Sequence, residues 1–142
     1  IWPLIPAMRK RGRGQIALMA SMASFNGWPG APAYSASKAA VRVYGEALRG
    51  NLQPSHIGVS VICPGFVKSR VTAVNDYPIP FLMSADRAAT IIARGLAANR
   101  ARIAFPLRGY LTTGLIGLLP PAISSMILTK LPQKSTLPTV KS

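Results

Sequence analysis

Tyr34 and Lys38 are the two residues of this sequence whose types and spacing do chemistry together. Four positions apart on a helix, they share one face, a turn from each other. An ammonium beside a phenol favours the phenolate, which makes an otherwise weak acid with a pKa of about 10 a usable general acid–base near neutrality. The Y-x-x-x-K spacing is weak evidence by itself, because an amphipathic helix end with a solvated lysine reads the same way. Three neighbours strengthen it. Ser21 lies thirteen residues upstream, just past a short apolar run. The stretch between is rich in Gly and Pro and can fold back over a site. A second apolar run ends in Pro64-Gly65, a further turn.

These residues need elements to hold them. Residues 4–13 read as the end of a helix closed by Gly12 and Gly14. Residues 15–20 (QIALMA) are too few for a buried helix and suit a strand covered on both faces. Residues 21–32 form a loop. Residues 33–52 form a long helix with two neighbouring apolar stripes, Ala36, Ala40, Val43 and Ala47 on one, Val41, Tyr44, Leu48 and Leu52 on the other. The small residues of the first stripe allow a sheet or another helix to approach closely. Residues 57–63 (IGVSVIC) are a second buried strand, followed by a loop through Pro80. Ser84 is a natural N-cap, with Asp86 in the first turn, for a helix running to about Arg100. Residues 102–105 (RIAF) form a third strand.

Strands alternating with helices at this spacing predict parallel pairing through crossover helices, the α/β class. Three strands make half of a doubly wound Rossmann-type sheet. One match misleads. Gly12-Arg13-Gly14-Gln15-Ile16-Ala17 fits the G-x-G-x-x-A dinucleotide fingerprint, which must follow a strand and open a helix to set a pyrophosphate on the helix N-terminus. Here it follows a helix and opens a strand.

Together, Ser21, Tyr34-Ser35-Ala36-Ser37-Lys38 and the run Cys63-Pro64-Gly65-Phe66-Val67-Lys68-Ser69 make residues 14–72 resemble the C-terminal, catalytic half of the short-chain dehydrogenase/reductase (SDR) family. The resemblance implies an oxidoreductase that uses NAD or NADP and moves hydride between nicotinamide and a small carbonyl or alcohol substrate. It gives Tyr34 the proton transfer, and Ser21 the task of holding the substrate oxygen. Lys38 would favour the Tyr34 phenolate and bind the nicotinamide ribose hydroxyls. Pro64 and Gly65 would lie along the nicotinamide, Val67 would contact its carboxamide through the backbone, and Ser69 stands where the family usually has Thr. Trp28 and Phe66 are candidates for the substrate pocket; Tyr77, Phe81 and Met83 fall where the family places a mobile substrate loop. A homo-oligomer is expected of the full-length form.

The resemblance also implies what this sequence lacks: a nucleotide half of roughly 100 residues with its glycine-rich turn, at about 30 residues per βαβ unit. Residues 1–108 therefore read as a partial Rossmann-type catalytic segment, expected to bind dinucleotide poorly alone and to leave a strand edge uncovered. Residues 109–132 read as an apolar helical extension and residues 133–142 as a disordered tail.

Composition narrows the partners. Of 142 residues, 49% are hydrophobic, which excludes general disorder. One cysteine, Cys63, and one histidine, His56, exclude a disulfide framework, a multi-cysteine zinc site and a Ser-His-Asp triad as the natural reading. Cys63 reads as a small buried apolar residue and His56 as a surface turn. The net charge is +14, from 17 Lys and Arg against 3 Asp and Glu, where an average chain this long carries about 15 acidic residues. Only Arg9, Lys10, Arg11 and Arg13 cluster, and no nucleic-acid-binding pattern accompanies them, so nucleic acid is not expected as a partner. Pro120-Pro121 interrupts the apolar stretch at residues 109–129, which argues for two short helices packed on the body or lying at an interface. A cytoplasmic location follows, with peripheral membrane contact through that segment open. The alternative to an enzyme is a non-catalytic basic membrane-surface or scaffold protein derived from the same fold.

Overall fold

The computed structural model describes residues 1–68 and 82–130. Three parallel strands, β1 (Gly14–Met19), β2 (Ile57–Pro64) and β3 (Arg102–Phe105), lie in the order β1-β2-β3. Register pairs Gly14 with Ile57 and Met19 with Ile62 on one side of β2, and Val61 with Arg102 on the other. Helix α1 (Ile5–Arg11) precedes β1, α2 (Pro32–Leu52) links β1 to β2, and α3 (Ala85–Ala97) leads into β3. The chain continues as α4 (Leu107–Gly117) and α5 (Pro121–Thr129). This is the expected α/β arrangement.

Strand β2 shows why a continuous apolar run is a central strand. Its alternate residues Val59, Val61 and Cys63 pack toward α2, while Ile62 packs with Ile103, Phe105 and Ala88 of α3. Ile5 of α1 joins Ile16, Leu48, Leu52, Ile57 and Val59 on the α2 side. Helices therefore cover both faces of the sheet, as a doubly wound fold requires. The β1 edge differs: Ile16 is buried, but Gln15, Ala17 and Met19 on its other face are exposed.

The register of α2 corrects one expectation. Ala36, Ala40, Val43 and Ala47 face solvent. The residues that α2 buries are instead Ser35, Gly45, Leu48 and Leu52, the last three against the strands. Gly45 decides it, since a Cβ there would lie 2.6 Å from a Val61 methyl and 2.8 Å from Leu18. Helix α3 also ends earlier than expected, at Ala97, because Asn99 turns back at φ 47° and Arg49 of α2 holds it. Arg49 donates to the Asn99 carbonyl at 3.0 Å, to its side chain at 3.1 Å and to the Val59 carbonyl at 2.6 Å. Ser84 caps α3 as expected, accepting from Arg87 N–H. The Gly12–Gly14 match is a helix end followed by a strand: Gly12 sits at φ 64°, closing α1. No helix of the described residues is long and apolar enough to cross a membrane.

Candidate active site

The sheet ends all its strands on one side, and the sequence-predicted residues gather there. Beyond Met19, the last residue of β1, Ser21 caps a short 3-10 turn (Met22–Ser24), its Oγ accepting from Ala23 N–H at 3.1 Å. Tyr34 lies in the first turn of α2, 48% exposed, with the Lys38 Nζ 5.7 Å from its ring centroid. Lys38 Nζ also donates to the Met19 carbonyl at 3.2 Å, which ties the helix to the strand end two residues before Ser21. The lysine thus does two structural things: it sits beside the phenol and fixes the distance between α2 and β1.

The loop between Ser21 and α2 folds back onto the helix. Trp28 N–H donates to the buried Ser35 Oγ at 3.2 Å. Arg42 Nε donates to the Ser24 carbonyl at 3.3 Å. The Met22 methyl fills the space over Gly65, where a Cβ would meet it at 2.6 Å, so the loop after β1 and the turn after β2 are packed together. Gly65 N–H donates to the Phe105 carbonyl at 2.8 Å, continuing the sheet past Pro64. Val67 pairs with Met83, through Met83 N–H to Phe66 carbonyl at 3.0 Å and Lys68 N–H to Met83 carbonyl at 2.8 Å. Ser69, Tyr77 and Phe81 lie outside the described residues, as does the tail at residues 133–142. Phe66 is exposed and Trp28 half-buried.

Sequence reasoning missed the cluster behind this site. Glu46 of α2 accepts from Arg42 at 3.2 Å and from Arg102 of β3, and Arg102 donates to the Tyr110 hydroxyl at 2.9 Å. Both guanidinium groups lie over the Phe25 ring, at 4.8 and 5.2 Å, and Tyr110 meets that ring edge-on at 5.5 Å. Burial works against the charge on Arg102, but Tyr110 and Glu46 outweigh it and hold its pKa above the ordinary guanidinium value. The signal was present: Arg42 and Glu46 are an i,i+4 pair, and Glu46 is one of only three acids. Cys63 is buried beside this cluster, and burial pushes its thiol pKa above the ordinary value. His56 is exposed at φ 54°, a surface turn.

Ser21, Tyr34 and Lys38 thus stand at the carboxyl edge of the sheet, Tyr34 exposed and Lys38 tied to the end of β1. A sequence profile described as short chain dehydrogenase matches residues 1–77, more than half of the chain. The chain belongs to the short-chain dehydrogenase family. An oxidoreductase of Myxococcus xanthus, described as uncharacterized, is 38% identical over 117 residues, which are 82% of this chain and 46% of that protein. A short-chain dehydrogenase from Streptomyces avermitilis superposes with TM-score 0.66 at 25% identity, covering 79% of this chain and 50% of that one. One from Sphingobium yanoikuyae, solved in complex with NADPH, has TM-score 0.68 at 20% identity, over 98% of this chain and 52% of that one, and shares the fold. The chain spans about half the length of these relatives. Membership establishes an oxidoreductase family with a Rossmann-type sheet, as the Ser21, Tyr34 and Lys38 pattern implied.

Proposed function

We propose that these residues form the catalytic half of an NAD(P)-dependent oxidoreductase acting on a small carbonyl or alcohol substrate, with Tyr34 as the acid–base. The observation that carries the reading is the Lys38 ammonium, 5.7 Å from the Tyr34 ring and anchored on the strand end that leads to Ser21. Ser21 Oγ, already accepting from Ala23 N–H, keeps its own proton to donate to a substrate oxygen. Tyr34 is open to solvent on the same side and delivers or removes the proton. Of the three ammonium donors of Lys38, one goes to Met19, which leaves two for ribose hydroxyls.

The described residues fit the nicotinamide end of a dinucleotide: Tyr34, Lys38, and the Pro64, Gly65 and Val67 segment, with Ser69 next but one in the sequence. When bound, such a cofactor supplies the hydride, and the protein supplies position and the proton path. They do not fit the pyrophosphate end, because among the described residues the Gly12–Gly14 turn ends a helix rather than opening one. We therefore expect the 142-residue chain alone to bind dinucleotide weakly and not to turn over. Residues 1–108 are the catalytic segment in this reading, and residues 109–132 an apolar extension. The exposed Ala36, Ala40, Val43 and Tyr44 on the outer side of α2 suit a homo-oligomer contact. A cytoplasmic location goes with this reading.

The test is turnover of NADH and NADPH with a panel of ketones. The isolated chain should give none, and the same residues joined behind a dinucleotide-binding half should give turnover that Tyr34→Phe removes. Ordinary turnover by the isolated chain overturns the half-site reading. Full activity of Tyr34→Phe overturns the acid–base assignment.

A further inference from the structure

The outer side of α4 and α5 is apolar, exposed and basic at its margins. Along α4, Leu107, Leu111, Leu115 and Leu118 follow one another at helical spacing on one stripe. Leu107 and Leu115 are each 65% exposed and Leu118 is 83% exposed. On α5, Ile123 and Met126 continue the exposed surface. A soluble surface seldom keeps so contiguous an apolar patch without a use for it. The inner sides of both helices are already spent on the body. Gly109 packs on Met22, the Thr113 carbonyl accepts from Asn26 at 2.7 Å, and Leu128 is buried. The outer stripe is therefore surplus to the fold.

Two further observations say what covers it. The first is charge: from Arg87 to the end of the sequence there are eight Lys and Arg and no Asp or Glu. Arg108, beside Leu107, and Lys130, one turn past Met126, are both exposed and flank the stripe. The second, among the described residues, is where the hydroxyls of these helices donate. The hydroxyls of Thr112, Ser124, Ser125 and Thr129 donate to carbonyls of their own helices, so none of these bonds points outward. A partner protein is recognised through placed hydrogen bonds at a rim. A bilayer interface needs only apolar side chains and cations for its phosphates.

We propose that α4 and α5 dock on an anionic bilayer surface, with Leu107, Leu111, Leu115, Leu118, Ile123 and Met126 below the headgroups and Arg108 and Lys130 at the phosphates. Neither helix crosses the bilayer. The proposal stands on these helices and does not depend on hydride transfer.

Vesicle sedimentation of the 142-residue chain tests it. Vesicles containing phosphatidylglycerol should pull the chain down, and phosphatidylcholine vesicles should not. The pair Leu111→Glu/Leu115→Glu should lower binding by about tenfold or more. Arg9→Gln/Lys10→Gln, which lowers the net charge by the same two units away from the face, should lower it far less. Since a chain of +14 adsorbs to any anionic surface, depth is read separately. In L118W the added indole emission should shift to the blue on phosphatidylglycerol vesicles and be quenched by brominated acyl chains, with the helical circular dichroism unchanged. Binding that survives Leu111→Glu/Leu115→Glu, or L118W emission that ignores brominated lipid, overturns the proposal. So does sedimentation showing lipid-free dimers that the same pair dissolves, since a second copy would then be the occupant.

Discussion

The two ends of the sheet's carboxyl edge are built on opposite principles. At the β1 end, placed hydrogen bonds tie the elements together, Lys38 to Met19, Arg42 to Ser24 and Glu46, and the Trp28 backbone N–H to Ser35, although the Ser24 hydroxyl and the Trp28 indole N–H are buried without hydrogen-bond partners among the described residues. Beyond β3, α4 and α5 bond their exposed hydroxyls to their own backbone carbonyls and leave leucines in solvent. Directional bonds fix atoms to a few tenths of an ångström, which proton transfer needs. An apolar stripe fixes nothing but a surface. The difference predicts that single substitutions at the β1 end act strongly, and that single substitutions on the α4 and α5 face act weakly on the fold.

The largest expected effect is at Lys38. In a turnover-competent protein carrying these residues, Lys38→Met should lower kcat by about a hundredfold or more, the scale of a lost acid–base element. Leu118→Ser should leave kcat with a soluble substrate unchanged. Equal losses from the two variants would erase the contrast between the regions.

Next comes the packing that holds α2 in place. Leu52 is 1% exposed among Ile5, Ile16, Leu48, Ile57 and Val59. Leu52→Ala should cost about 2–5 kcal/mol in urea unfolding, from lost burial and the cavity left behind. That is a large part of the stability of an ordinary domain, and here the β1 face carries exposed Ala17 and Met19 besides. Glu46→Ala ranks below it. Removing the carboxylate leaves Arg42 and Arg102 without their shared acceptor over Phe25, and since Glu46 is about a third exposed, the net loss should be about 1.5–3 kcal/mol, the scale of one hydrogen bond to a charged group. No change in unfolding midpoint would show the cluster to be dispensable.

Much of this was legible in the sequence because the signals are local. β2 reads as a central strand from IGVSVIC alone, and Ser84 as a cap from one residue. Tyr34 and Lys38 read as a pair from helix geometry. What escaped depends on the third dimension. The face of α2 that meets the sheet is set by Gly45 against Val61, a contact no periodicity count weighs, so a stripe of alanines looked buried when it is not. The Arg102–Glu46 bond joins residues 56 positions apart, and the Phe25 ring under the two guanidinium groups has no sequence signature. The charge of +14 was visible at once, but which exposed face it borders depends on where the apolar helices lie.

Cys63 sharpens the comparison through pH. Its thiol pKa is raised by burial, above the ordinary value of 9.0, so the neutral form is the one the fold favours. A raised folded-state pKa contributes stability in full below the unfolded value and loses it as pH climbs through the folded one. Above pH 9, unfolding free energy should therefore fall faster in the parent than in Cys63→Ala, by at most about 1.4 kcal/mol per pH unit for one proton. Urea titrations at neutral and alkaline pH read the difference between the two slopes. Identical slopes would mean that the thiolate is tolerated beside Arg102.

The smallest effect belongs to the other region. Leu118, nearly free in solvent, contributes almost nothing to the folded state, so Leu118→Ser should change stability by less than about 0.5 kcal/mol. If the stripe instead packed on the rest of this chain, the same change would remove buried methyl groups and cost about 1 kcal/mol or more. The measurement thus separates a surface kept for an outside partner from a surface the fold itself uses. A leucine whose loss the fold does not feel, but vesicle binding does, is held in place by something other than folding.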